Sequence, residues 1–260
     1  MATAARTAAA KRVPMDSLRK TALVAGVFYL ITFISIPTLS LYGPVKNHRD
    51  WILSSGAHTG VLVGGFLEVI VALAGIGTAV TLYPVVKRQN EGVALGFVAA
   101  RILEAAMIFT GVISLLSLVT LRQDLGGTAA GANAAALVTT GASHVAVYNW
   151  TFLLSQSLMP GINALLLGSL MYRSRLVPRI IPALGLIGAP LLIGTVIATL
   201  FGGLKLGSPE LAALPVGAWE LSLGVWLVVK GFKPAPITPA PITADMTAAS
   251  RPLAYHDVAV

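Results

Sequence analysis

Four ionisable side chains stand inside long apolar stretches of this sequence: Glu68, Arg101, Glu104 and Glu220. In a hydrocarbon interior each would cost about 2.5–3.5 kcal/mol if left alone, so each must turn inward and find a partner. Arg101 and Glu104 are three residues apart, which places them on one face of a helix within pairing distance. Counting about 1.5 Å per helical residue from the basic end of each stretch puts Arg101, Glu104 and Glu220 roughly 13, 18 and 14 Å deep. Glu68 comes out roughly 22 Å deep, about two turns further along. All four ionised would carry a net charge of −2, with no other basic residue expected at that depth. A low-dielectric interior does not hold such an excess, so protons on the glutamates or a bound cation are expected to offset it. Two readings of the group stand side by side. One is a buried ionic knot that fixes how its helices pack. The other is a binding site for a proton, a cation or a polar solute, the default meaning of ionisable groups inside a membrane. Gln156 and Asn163 are candidates to line the same cavity, with interhelical packing the favoured role for both.

The elements that carry these residues follow from composition. The chain has 260 residues, 56% hydrophobic and only 11% charged, against about 25% charged in a soluble domain. Its mean hydropathy is +0.82. These values exclude a soluble globular enzyme, a disordered chain and a coiled coil. Divided into stretches of roughly 20 apolar residues, the sequence predicts six membrane-spanning helices, over residues 21–41, 59–83, 92–121, 145–172, 180–201 and 211–229. Pro37 is expected to kink or end the first. Residues 44–58 read as a polar loop and 129–143 as an outer loop or surface helix. Residues 1–20 form a basic arm expected to be disordered, residues 21–233 the membrane domain, and residues 234–260 a disordered tail rich in Pro, Ala and Thr.

Charge asymmetry then gives an orientation. With both termini in the cytoplasm, thirteen Lys and Arg fall inside and four, Lys46, Arg49, Arg122 and Lys205, fall outside. That is the positive-inside pattern. It also accounts for the net charge of +8 without nucleic acid as a partner. The expected fold is therefore all-α: a polytopic integral membrane six-helix bundle, both termini cytoplasmic.

Four segments in order carry a resemblance: RKTALVAGVFYLITF (19–33), RILEA (101–105), GSLMYRSRLVPRIIPALGLIGAP (168–190) and ELSLGVWLVVKGF (220–232). Over about Leu18 to Phe232 the chain resembles the bacterial membrane-protein family called domain of unknown function 4386. The resemblance implies a multi-pass protein of the bacterial plasma membrane and no particular activity.

Further chemistry is narrowed by what the sequence lacks. Without cysteine there is no disulfide, thiolate nucleophile or Cys-based metal site. Gly75-Ile-Gly77 is not a dinucleotide fingerprint, since it has neither the third glycine nor a preceding strand. His48, His58 and His144, with Asp50 or Asp124, have no metal-ligand spacing and read as interfacial polar residues. No catalytic, metal or cofactor residue is assigned. The candidate ligand-binding residues are Glu68, Arg101, Glu104, Gln156 and Glu220. The favoured expectation is non-enzymatic: binding or passage of a small solute, proton or cation. Two rivals remain open. One is an intramembrane enzyme acting on lipid or isoprenoid substrates, with a glutamate as acid or base. The other is a structural or accessory subunit. The partners expected are the lipid bilayer, a small molecule or ion, and a second copy or a membrane partner protein.

Overall fold

Pro37 has no N–H, so the carbonyl of Phe33 cannot find its usual helical donor four residues on. In the computed structural model, which describes residues 16–125, 133–205 and 210–233, the chain answers this locally. Helix α1 (Ser17–Thr32) tightens into a single 3₁₀ turn, Phe33–Ser35, and the N–H of Ile36 bonds the Phe33 carbonyl at 3.2 Å. The first helix therefore ends well short of residue 41, the end of the predicted span. Residues 44–58 are not an open loop. Two short helices, α2 (Thr38–Leu41) and α3 (Gly43–Asn47), and a 3₁₀ turn, Arg49–Leu53, fold back over the bundle. Tyr42, Val45, Trp51 and Ile52 are their buried side chains, so the segment is a cap with its own apolar face.

The long helices follow: α4 (Thr59–Val86), α5 (Glu91–Leu125), α6 (Ala134–Leu153), α7 (Met159–Ser174), α8 (Ile180–Leu200) and α9 (Glu210–Val229). A five-residue π-helical segment, Leu154–Leu158, joins α6 to α7 into one rod of 41 residues. Pro160 explains it: the carbonyl of Gln156 loses its helical partner, and the turn widens instead of breaking. Residues 134–143, expected in an outer loop or surface helix, are instead the first turns of α6. Leu137 is buried there, and Gly141 lets the helix lie against Leu118 and Ile52. The expected basic arm up to residue 15, the expected tail over residues 234–260 and residues 129–132 of the expected outer segment lie outside the described residues.

Six helical rods are long and apolar enough to span a membrane, and no strand occurs among the described residues. The protein is a multi-pass, all-α membrane bundle. Its helices pack in chain order, α1 on α4, α4 on α5, α5 on α6 and α7, α7 on α8 and α8 on α9, and α9 closes the ring against α1. On α4 an outward stripe of Phe66, Leu73 and Val80 is exposed. Water would penalise such a stripe, and lipid does not. The inward stripe is small or polar, with Gly64, Glu68, Ala72, Gly75 and Ala79. Toward the start of α1 and the end of α9 the helices share an apolar interior of Tyr29, Leu82, Phe97, Leu167, Trp219, Leu223 and their neighbours. The opposite end has its own apolar cluster, where the cap meets α5 and α6.

Candidate functional site

The site is built on α5. Arg101 and Glu104 lie one turn apart on its inward face, as their spacing requires, and are 3% and 7% exposed. One terminal nitrogen of Arg101 bonds both Glu104 oxygens, at 3.2 and 3.0 Å. The other reaches across the bundle to Glu220 Oε1 on α9 at 2.7 Å. Asn163 of α7 donates to Glu104 Oε2 at 2.7 Å. The guanidinium sits 5.6 Å from the Tyr29 ring centroid on α1 and 5.7 Å from that of Phe97, within cation–π range. One ionic triad thus ties α5 to α9, with α1 and α7 supplying neutral contacts.

Glu68 does not join it. The single four-charge group expected from the sequence is two groups. Glu68, 1% exposed on α4, accepts hydrogen bonds from three neutral donors: Tyr148 at 2.9 Å, Gln156 at 3.0 Å and Tyr42 at 3.3 Å. Gly64, one turn before Glu68, makes this possible. A Cβ there would overlap the Tyr42 ring, so only glycine lets the ring lie flat enough for its hydroxyl to reach the carboxylate. Burial, and then the nearby Glu68 carboxylate, push the Tyr42 phenol up from its ordinary range, so it stays a proton donor. The separation follows from depth: the extra two turns place Glu68 beside the cap and not beside Arg101. One basic group acts on it that nothing in the sequence places inside the bundle. Lys46 of the cap lies 5.4 Å from the Tyr148 ring centroid and 5.6 Å from that of Phe152, close enough to act on Glu68 through space.

Between the two groups lies a cavity of about 510 Å³. Arg101, Glu104 and Glu220 line its polar end, and Gln156 lines it while its amide nitrogen bonds Glu68. The π-helical turn places Gln156 there. The remaining wall is largely apolar, with Val71, Ala72, Ala105, Ile108, Leu214 and Leu221. The lining is completed by residues around the end of α1 (Thr32, Phe33, Ser35, Ile36 and Thr38) and by the first half of α9. Because α1 stops at Thr32, that half of α9 has no helix beside it on this side, and the seam leaves the exposed Ile36 and Leu214 at the lipid-facing wall. Asn163 is fully buried and serves the Glu104 contact; it does not line the cavity.

Sequence reasoning missed Tyr29, Tyr42, Tyr148 and Lys46 as partners of the buried charges. The only signal was that tyrosines occurred close to the expected depths, which their ordinary interfacial role also explains. The sequence expectation puts Arg122 in an outer loop. It is instead the last-turn anchor of α5, stacked 4.0 Å from the Trp51 ring centroid and bonding the carbonyls of Ser54 and Gly56. His58 and His144 are engaged with Gln123 and Ser114.

A family model described as Domain of unknown function (DUF4386) matches residues 24–231 of the chain. No curated protein and no solved structure matches it.

Proposed function

The chain belongs to the DUF4386 family, and we propose that this member binds a small, largely apolar solute with one polar group, in the cavity lined by Arg101, Glu104 and Glu220. The observation that carries this reading is a coincidence of position: the ionic triad forms one end of a 510 Å³ cavity. That volume is in the range of sites for drug-sized molecules, which combine apolar walls with a few convergent polar groups. A purely structural knot needs no cavity at its side. The apolar packing behind the triad, with Tyr29 and Phe97 against the Arg101 guanidinium and Trp219 against Tyr29, supports binding over open passage. We place the protein in the bacterial plasma membrane with both termini in the cytoplasm. The thirteen-to-four asymmetry of Lys and Arg supports that orientation, and the cavity then opens in the outer half of the bilayer.

The test uses two glycines. A Cβ at Gly217 or at Gly194 would meet nothing within 4 Å, but Gly217 lines the cavity and Gly194 is exposed on α8. Native mass spectrometry of the protein from mild detergent should show a small molecule bound to the wild type and to Gly194→Leu, and none on Gly217→Leu. A bound molecule retained by Gly217→Leu would place the ligand elsewhere.

A further inference from the structure

The charges at the polar end of the cavity are unequal, and that inequality specifies the head group of the ligand. One guanidinium faces two carboxylates. No other acidic or basic side chain lines the cavity among the described residues. A further cation, Lys46, lies over the Tyr148 and Phe152 rings, and its charge acts on Glu68. The hydrogen-bonding valences are unequal too. Each terminal nitrogen of Arg101 has a carboxylate partner, its Nε has none but is sealed from the cavity, and both oxygens of Glu104 accept bonds. Glu220 gives Oε1 to Arg101, and its Oε2 takes no hydrogen bond from any described residue. Its side chain is also the most open of the three, at 14% exposure against 3% for Arg101 and 10% for Glu104. The free valence in the cavity is therefore an acceptor on a carboxylate, in a site with one negative charge in excess. An anion entering here would meet two carboxylates and a guanidinium already engaged with both.

Resting on the reading above, we propose that the ligand is an amphipathic cation: an apolar body ending in an ammonium or similar charged donor that sits on Glu220 Oε2. The apolar part lies along Val71, Ile108, Leu214 and Leu221, and the seam between the α1 break and α9 admits it from the lipid, where such molecules concentrate. Low dielectric around the site strengthens the ammonium–carboxylate attraction and makes an unpaired head group of the wrong sign costly.

Decylamine, decanol and decanoate share one chain and differ in the head group, so they separate charge recognition from cavity filling. Their binding at neutral pH is measured by equilibrium dialysis against the full-length protein in nanodiscs of zwitterionic lipid, with empty nanodiscs subtracted. Decylamine should bind about tenfold tighter than decanol, and decanoate weakest, the tenfold step being what one good charge-assisted contact supplies. In Glu220→Gln the amine should lose that advantage while decanol binding persists. Should Glu220→Gln fail to fold, the wild-type ranking decides. Equal affinities, or decanoate binding best, would overturn the cation assignment and leave the cavity reading intact. Binding of all three that survives unchanged in Gly217→Leu would overturn the cavity reading itself.

Discussion

Arg101 holds two carboxylates, and its removal leaves both without their counter-charge inside the bundle. Arg101→Ala should therefore cost about 3–5 kcal/mol. Replacing all three members by apolar or neutral residues of similar size, Arg101→Met with Glu104→Gln and Glu220→Leu, should recover most of that loss. Thermal melting in one detergent compares them, and a triple variant as unstable as the single one would contradict the triad. Glu68 permits a finer comparison. Its bond from Tyr148 is short and that from Tyr42 long. Tyr148→Phe should cost about 1–3 kcal/mol, the usual range for a buried acceptor deprived of its donor, and Tyr42→Phe clearly less. Reversal of that order would mean that the Tyr42 contact dominates.

At the scale of elements, the ring closes where α1 meets α9, and the contact is backbone on backbone. A Cβ at Gly26 would come within 2.8 Å of the Gly224 carbonyl oxygen, a group that cannot move aside. Gly26→Val should therefore push the two helices apart at a cost of about 1–3 kcal/mol, the usual penalty of overpacking. Gly194→Ala on the exposed face of α8 should be neutral or stabilising by up to about 1 kcal/mol. Melting temperatures that fall equally in both would show that α1 and α9 are not in close contact. The π-helical turn belongs to this scale as well. Pro160→Ala restores the missing N–H, allows an ordinary helix and rotates Gln156 away from Glu68. A cysteine placed at 156 should then lose access to a small membrane-permeant thiol reagent that reaches it when Pro160 is present.

At the scale of the whole molecule, the described residues form a ring of six rods with an apolar interior toward one end and a cap of residues 38–53 on the other. The orientation we propose makes a direct prediction, helped by the absence of native cysteine. Lys205→Cys should react with an impermeant maleimide in intact cells, and Arg175→Cys only after lysis. The opposite pattern would invert the protein in the membrane.

What sequence alone determined was set by transfer energetics and by local geometry. Six apolar runs had to be helices, because a bilayer leaves no other way to satisfy their backbone. The i, i+3 spacing of Arg101 and Glu104 made their pairing a local matter. The charges in apolar runs had to face inward, but a depth difference of about two turns for Glu68 did not by itself split them into two groups. Tertiary structure decided the rest, because it depended on contacts between residues far apart in the chain. That Arg101 takes Glu220 follows from α9 closing the ring, a packing outcome 119 residues away. That Glu68 is served by Tyr42 and Tyr148 follows from a cap folding back and from a glycine admitting an aromatic ring, neither visible in hydropathy. The cavity exists because α1 stops early while α9 continues. A proline in the sequence marks where such a break can occur, and only the neighbouring helices determine whether the space beside it is filled.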